Sequence, residues 1–160
     1  MQKFLNYIIF CVILSLATNC LAKRSPALKI IDGDSLVLNG AEIRLEGIDA
    51  PEYKQVCYDK NKQAYRCGIK AYEFLQDFVK GKKVTCQKIS IDRYKRQVSF
   101  CYANGVDINQ AMVQNGWAVA YDHYDDKYVK DENLARKNKA GIWQGKFMRP
   151  EIWRALQRRK

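Results

Sequence analysis

The chain is short of histidine and of closely spaced cysteine pairs, and each shortage closes a route. His123 is the single histidine among 160 residues. Histidine triads and histidine-driven nucleases need more partners than one imidazole supplies, so His123 is assigned to a loop. No C-x-x-C pair occurs among the six cysteines, which leaves a zinc site without its usual ligand spacing. Ser35 stands in no nucleophile-elbow context, which argues against a serine hydrolase. The longest apolar run, residues 7–17, is too short for a membrane span, and no segment repeats. Acidic residues are the minority, 17 against 28 basic ones, giving a formal net charge of +11 and a pI near 9.4. That excess favours a polyanionic partner, nucleic acid first, because released counterions drive such binding.

The length suggests one domain, and 48% hydrophobic residues are enough for a core. Lys3, the apolar run and Cys20-Leu21-Ala22 form a signal-peptide pattern, with cleavage expected after Ala22. Residues 1–22 are therefore expected to be a signal peptide and 23–160 a single domain, secreted or periplasmic and monomeric. No stable membrane association is expected after cleavage; an uncleaved anchor, with the basic tail on lipid, is the alternative. Cleavage leaves Cys57, Cys67, Cys86 and Cys101, an even number that suggests disulfides in an exported chain. Cys86 and Cys101 are equally far from the centre of the turn Asp92-Arg93-Tyr94-Lys95. In an antiparallel ladder such residues face each other within disulfide reach. Cys57–Cys67 is the second pair, tying the ends of a polar loop over residues 53–66.

Residues 31–52 organise the rest. They open on an acidic turn, Asp32-Gly33-Asp34-Ser35, and continue as two alternating segments, 35–39 and 42–48, broken at Asn39-Gly40. Asn-Gly between two such runs is a strong hairpin signal. The stretch closes on Asp49-Ala50-Pro51-Glu52, so one hairpin carries Asp32, Asp34, Asp49, Glu52 and Arg44. Massed carboxylates repel unless a cation joins them, and hard cations take oxygen ligands. Beyond it, helical spacing predicts helices over 68–80, 108–115 and 128–140, the last burying Leu134 and Ala135. Strands are expected over 83–91 and 96–103, and a basic tail over 151–160 with Ile152, Trp153 and Leu156 at helical spacing. These elements give an α+β class, mainly β: a five-stranded Greek-key OB-fold barrel with about three α-helices.

Four pieces in order, Asp32-Gly33-Asp34-Ser35, Arg44 to Glu52, Asp92 to Arg96, and Gly141-Ile142-Trp143, resemble the staphylococcal nuclease (thermonuclease) family. The resemblance covers about residues 28–143. It implies Ca²⁺, with Mg²⁺ the weaker choice, on the carboxylates of Asp34 and Asp49 and the backbone carbonyl of Ala50. It implies Glu52 as the group that orients or deprotonates water, and Arg44 and Arg96 as the phosphate-binding arginines. Arg93 and Tyr94 correspond, more loosely, to positions near a terminal phosphate, and Asp32 would stand behind the metal ligands. DNA and RNA are the implied substrates and 3′-phosphate ends the implied products; no protein partner is implied. The departures are Ser35, where threonine is usual, and the cysteines and Trp153-Arg154 tail, which the secreted prototype lacks. A binding module that holds nucleic acid without cutting it is the competing expectation.

Overall fold

The computed structural model describes residues 27–121 and 126–159. The signal segment, the leader up to Pro26 and His123 lie outside the described residues. Asn39 and Gly40 both take positive φ, 53° and 84°, the conformation a two-residue hairpin loop needs. They join β2 (Ser35–Leu38) to β3 (Ala41–Leu45), with Leu38 opposite Ala41 and Ser35 opposite Arg44. Antiparallel β1 (Leu28–Ile30) flanks β2.

A short ribbon strand, β4 (Ile48–Asp49), follows β3, and β5 (Cys57–Tyr58) pairs with β6 (Ala64–Tyr65). Helix α1 (Cys67–Val79) follows and buries Ala71, Leu75 and Val79 in the same core as Leu36, Ile43 and Leu45. It leads to the long hairpin of β7 (Val84–Ile91) and β8 (Gln97–Ala103). Strand β8 runs parallel to β3, with Ile43 opposite Gln97 and Arg44 opposite Val98, so that Arg96, just before β8, enters the cavity that Arg44 also lines. The sheet order is β1-β2-β3-β8-β7, with β9 (Val106–Asp107) added on β8. Leu36, Ile43 and Leu45 alternate inward to join the core of α1 and of α2 (Ile108–Gln114). Asp107 caps α2 by accepting from the Gln110 amide at 2.9 Å, satisfying one of the helix's orphan donors.

Four expectations need correction. The sheet is open, not a closed five-stranded barrel: β1 and β7 are its two ends. The described residues hold four α-helices rather than about three: α3 is Val129–Lys137, and α4 (Pro150–Gln157) forms within the basic tail. Pro150 at its first turn costs no hydrogen bond there and fixes a helical φ. In α3, Ala135 is buried as expected but Leu134 is 52% exposed. The helix instead buries Glu132, whose carboxylate accepts from the Ala120 amide at 2.6 Å and pairs with Arg136 and Arg149. Ala120 belongs to β10 (Val119–Ala120), which pairs with β4. The segment 53–66 is not a plain loop, since it carries the β5–β6 ribbon.

Both disulfides form. Cys86 and Cys101 are register partners with Cα atoms 4.1 Å apart, and Cys57 is bonded to Cys67. Cross-linking residues 15 apart removes loop entropy from the unfolded chain. The pair of substitutions Cys86→Ser and Cys101→Ser is therefore expected to lower stability by about 3 kcal/mol, measured by urea unfolding. A loss below about 0.5 kcal/mol would show that the ladder alone fixes this hairpin.

Candidate active site

The site grows from the acidic turn. Asp32 Oδ1 accepts from the Asp34 amide at 3.0 Å, a local bond that shapes the turn. A Cβ on Gly33 would stand 2.7 Å from the Ala50 Cβ and 2.8 Å from the Ala71 Cβ. Only glycine lets the turn nest between Ala50 and α1. Asp34, buried, is held at both oxygens: Oδ2 accepts from the Ala50 amide at 2.7 Å and Oδ1 from Ser35 Oγ at 3.1 Å. Ala50 thus contributes its amide here, with its side chain in the core.

Arg44 links this turn to the next carboxylate. Its Nη1 lies 2.8 Å from Asp34 Oδ2, while its Nη2 donates to the Ile48 carbonyl at 2.9 Å and to Asp49 Oδ1 at 3.3 Å. One guanidinium therefore joins the two carboxylates that the sequence singles out. Asp49 is 1% exposed, on β4 opposite Val119. Glu52 follows on a turn braced by Gln55: its carbonyl accepts from the Gln55 amide at 2.7 Å, and its amide donates to Gln55 Oε1 at 3.2 Å. Gln55, itself buried, donates onward to the Met148 carbonyl at 2.7 Å.

Arg96 arrives from the other hairpin. Its Nε and Nη2 both reach Asp92 Oδ2 at 2.8 Å, while Asp92 Oδ1 accepts from the Tyr94 and Arg96 amides. Tyr94 is exposed, with the Arg93 and Arg96 guanidiniums 4.9 and 5.5 Å from its ring centre. Asp34, Arg44, Glu52, Arg93, Tyr94 and Arg96 all line one cavity of about 950 Å³. Asp49 stands behind it, bonded to Arg44.

Charge in this space is far from neutral water conditions. Burial, with the neighbouring Asp34 charge, pushes the Asp32 carboxyl up to about 7. Asp49 is also raised, first by burial and then by Asp34, against the pull of its arginine partners. Burial works against the Arg44 cation, yet Asp34, Asp49 and Asp32 outweigh it and raise its pKa. At the rim, burial would raise Asp92, but hydrogen bonds from the Arg96 side chain and amide hold it below the usual carboxylate range.

One partner of this cluster was not singled out from the sequence. Arg154, on α4, donates from Nη1 to Asp49 Oδ1 and Glu52 Oε1, both at 2.8 Å, and from Nη2 to Asp49 Oδ2 at 3.1 Å. Trp153, Arg154, Gln157 and Arg158 line the cavity beside it. The signal was present: these four recur at one-face helical spacing in the tail, alongside the apolar set that suggested a docked helix.

Residues 42–145 match the sequence model of the staphylococcal nuclease homologue family. The chain belongs to the staphylococcal nuclease family. Within that family it is similar to an uncharacterized endonuclease of Escherichia coli O157:H7, 32% identical over 96% of this chain and 98% of the relative. It is 38% identical to the succinoglycan biosynthesis protein ExoI of Rhizobium meliloti (strain 1021), over 72% of this chain and 62% of that protein. A probable endonuclease, LCL3, of Komagataella phaffii is 34% identical over 63% of this chain. The chain spans about half the length of that yeast relative, 48%. The family match ends at residue 145, so Arg154 and its helix lie beyond the segment that the staphylococcal nuclease model describes.

Proposed function

We propose that this staphylococcal nuclease family member is an endonuclease that hydrolyses phosphodiester bonds of DNA and RNA with little sequence preference. The observation that carries the reading is the single cavity shared by Arg44, Arg96 and Glu52 next to the Asp34–Arg44–Asp49 cluster. A phosphodiester is anionic, and its transition state gathers charge on the phosphoryl oxygens, so preorganised cations there lower the barrier. Arg44 and Arg96, from separate hairpins, would each donate to those oxygens; their planar forks suit two parallel hydrogen bonds. Glu52 would orient a water molecule and accept its proton as the water oxygen attacks phosphorus. The bond to the 5′ oxygen would then break and that oxygen take a proton from solvent water, leaving a 3′-phosphate and a 5′-hydroxyl, while Glu52 returns its proton to solvent.

The donor set bears on the metal. Among the described residues no group of three or more His, Cys, Asp or Glu side chains is arranged to hold an ion. Asp34 and Asp49 offer two buried carboxylates and no nitrogen or sulfur donor. Oxygen-only ligation suits a hard divalent cation that takes its remaining ligands from water and substrate. These residues would hold it, with the Ala50 carbonyl as a further oxygen, and Ca²⁺ is the proposed ion ahead of Mg²⁺. When bound, such a cation supplies positive charge beside the phosphate and lowers the pKa of water.

Soaking a DNA-containing gel in Ca²⁺ is expected to produce clearing around the protein band, and soaking in chelator to prevent it. Clearing in chelator would remove the metal from the proposal. A second reading, a module that holds nucleic acid without cutting it, draws on one observation: Arg154 already engages both Asp49 and Glu52. Retarded DNA without clearing in either soak would favour it. We also propose export, on the signal pattern and the two disulfides; a mature N-terminus at Lys23 is the expected result of N-terminal sequencing.

A further inference from the structure

We propose that Arg154 is an internal cation that holds Asp49 and Glu52 until a divalent ion replaces it, so that α4 is a latch over the cavity. The inference rests on the reading of Asp34 and Asp49 as metal ligands. Its first ground is where the guanidinium sits. Arg154 makes a two-pronged contact with Asp49, 2.8 and 3.1 Å, and a third bond to Glu52 at 2.8 Å. These are one carboxylate that the metal requires and the one that the attacking water requires.

The second ground is charge compensation. A carboxylate 1% exposed is costly unless paired. Arg44 reaches Asp49 at 3.3 Å but is shared with Asp34 at 2.8 Å. Arg154 completes the pairing at both Asp49 oxygens. A divalent ion would do the same at those oxygens, and two cations crowded on one carboxylate repel. Occupancy by the ion and by Arg154 is therefore competitive.

The third ground is what fixes the helix. Two apolar residues of α4, Ile152 and Leu156, are 49% and 41% exposed, Trp153 is half-buried at the cavity, and Pro150 is the helix's one buried residue. The side turned to the cavity is Trp153, Arg154, Gln157 and Arg158. The Arg154 ion pairs thus sit beside Trp153 on the side by which α4 docks. Removing those pairs frees the helix beyond its foot, where Arg149 stays on the Ala120 carbonyl and near Glu132, so that the body of α4 can swing as a releasable element does. Its departure uncovers Glu52, which Arg154 otherwise holds at 2.8 Å.

Calorimetric titration with CaCl₂ tests this on wild-type protein, Arg154→Gln and Arg154→Lys. The glutamine variant is expected to bind Ca²⁺ about tenfold more tightly or better than wild type, since no charge-assisted pair has to be broken first. The lysine variant, which keeps the charge without the fork, should fall between them, and it carries the test if the glutamine variant does not fold. In wild type, Ca²⁺ should also speed amide hydrogen exchange over residues 150–157. Equal or weaker affinity in the variants, or α4 exchange that ignores Ca²⁺, overturns the latch and leaves the metal site standing. Ca²⁺ binding to none of the three proteins overturns both.

Discussion

Arg44→Lys is expected to lower phosphodiester hydrolysis by about 10²–10³-fold or more, the scale for losing one preorganised donor to a developing oxyanion. Two losses combine in this substitution. Arg44 lies between Asp34 and Asp49 and also donates to the Ile48 carbonyl. An ammonium carries one charge but no fork, so it cannot hold both carboxylates in place and present a second N–H edge to phosphate. The site is weakened as a metal cradle and as a phosphate clamp together. Arg96→Lys should fall on the same scale for a narrower reason. Arg96 is anchored through Nε and Nη2 on Asp92, and lysine cannot bond Asp92 and point a further donor at substrate from the same planar group. Initial-rate assays on a defined oligonucleotide measure both; near-normal turnover in either variant would argue against its assignment.

Gly68→Ala is expected to cost about 3 kcal/mol or more and to disable the site without touching a charged group. Gly68 opens α1, and a Cβ there would stand 1.8 Å from the Glu52 carbonyl oxygen, 2.5 Å from the Glu52 carbonyl carbon and 2.9 Å from the Tyr53 Cα. All three neighbours are backbone, so no side chain can swing aside. Either α1 retreats, taking Ala71 and Leu75 out of the core, or the Glu52 turn moves away from Gln55. Urea unfolding gives the stability loss, and single-turnover rates below the unfolding range report the displaced Glu52. A fully stable, fully active Gly68→Ala protein would mean that the close approach of α1 to Glu52 is unnecessary.

The part of this molecule written in local signals was legible in its sequence. Asn39-Gly40 predicted a hairpin and the structure uses both residues at positive φ. The symmetry of Cys86 and Cys101 about the Asp92–Lys95 turn predicted their register. The carboxylates and arginines of residues 32–52 and 92–96 pointed to one site, and Arg44 joins Asp34 to Asp49 in the fold. What escaped depends on contacts far apart along the chain. Whether β1 meets β7 is a matter of sheet curvature, which no local pattern states. Leu134 looked like a core residue because apolar spacing ignores polar needs. The Ala120 amide and Arg149 both seek Glu132, and that turns the helix. Arg154 was legible only as one basic residue among several in the tail, since its partners Asp49 and Glu52 lie 105 and 102 positions away.

The central claim is that Asp34 and Asp49 share one divalent ion while Arg44 and Arg96 share one phosphate beside it. A crystal structure of the protein with Ca²⁺ and a non-hydrolysable phosphorothioate dinucleotide tests this most directly. The account predicts one ion bonded to carboxylate oxygens of both aspartates, with the scissile phosphate between the two guanidinium groups and Glu52 facing the phosphorus. An ion bound away from Asp34 and Asp49, or a phosphate touched by only one of the two arginines, would contradict it.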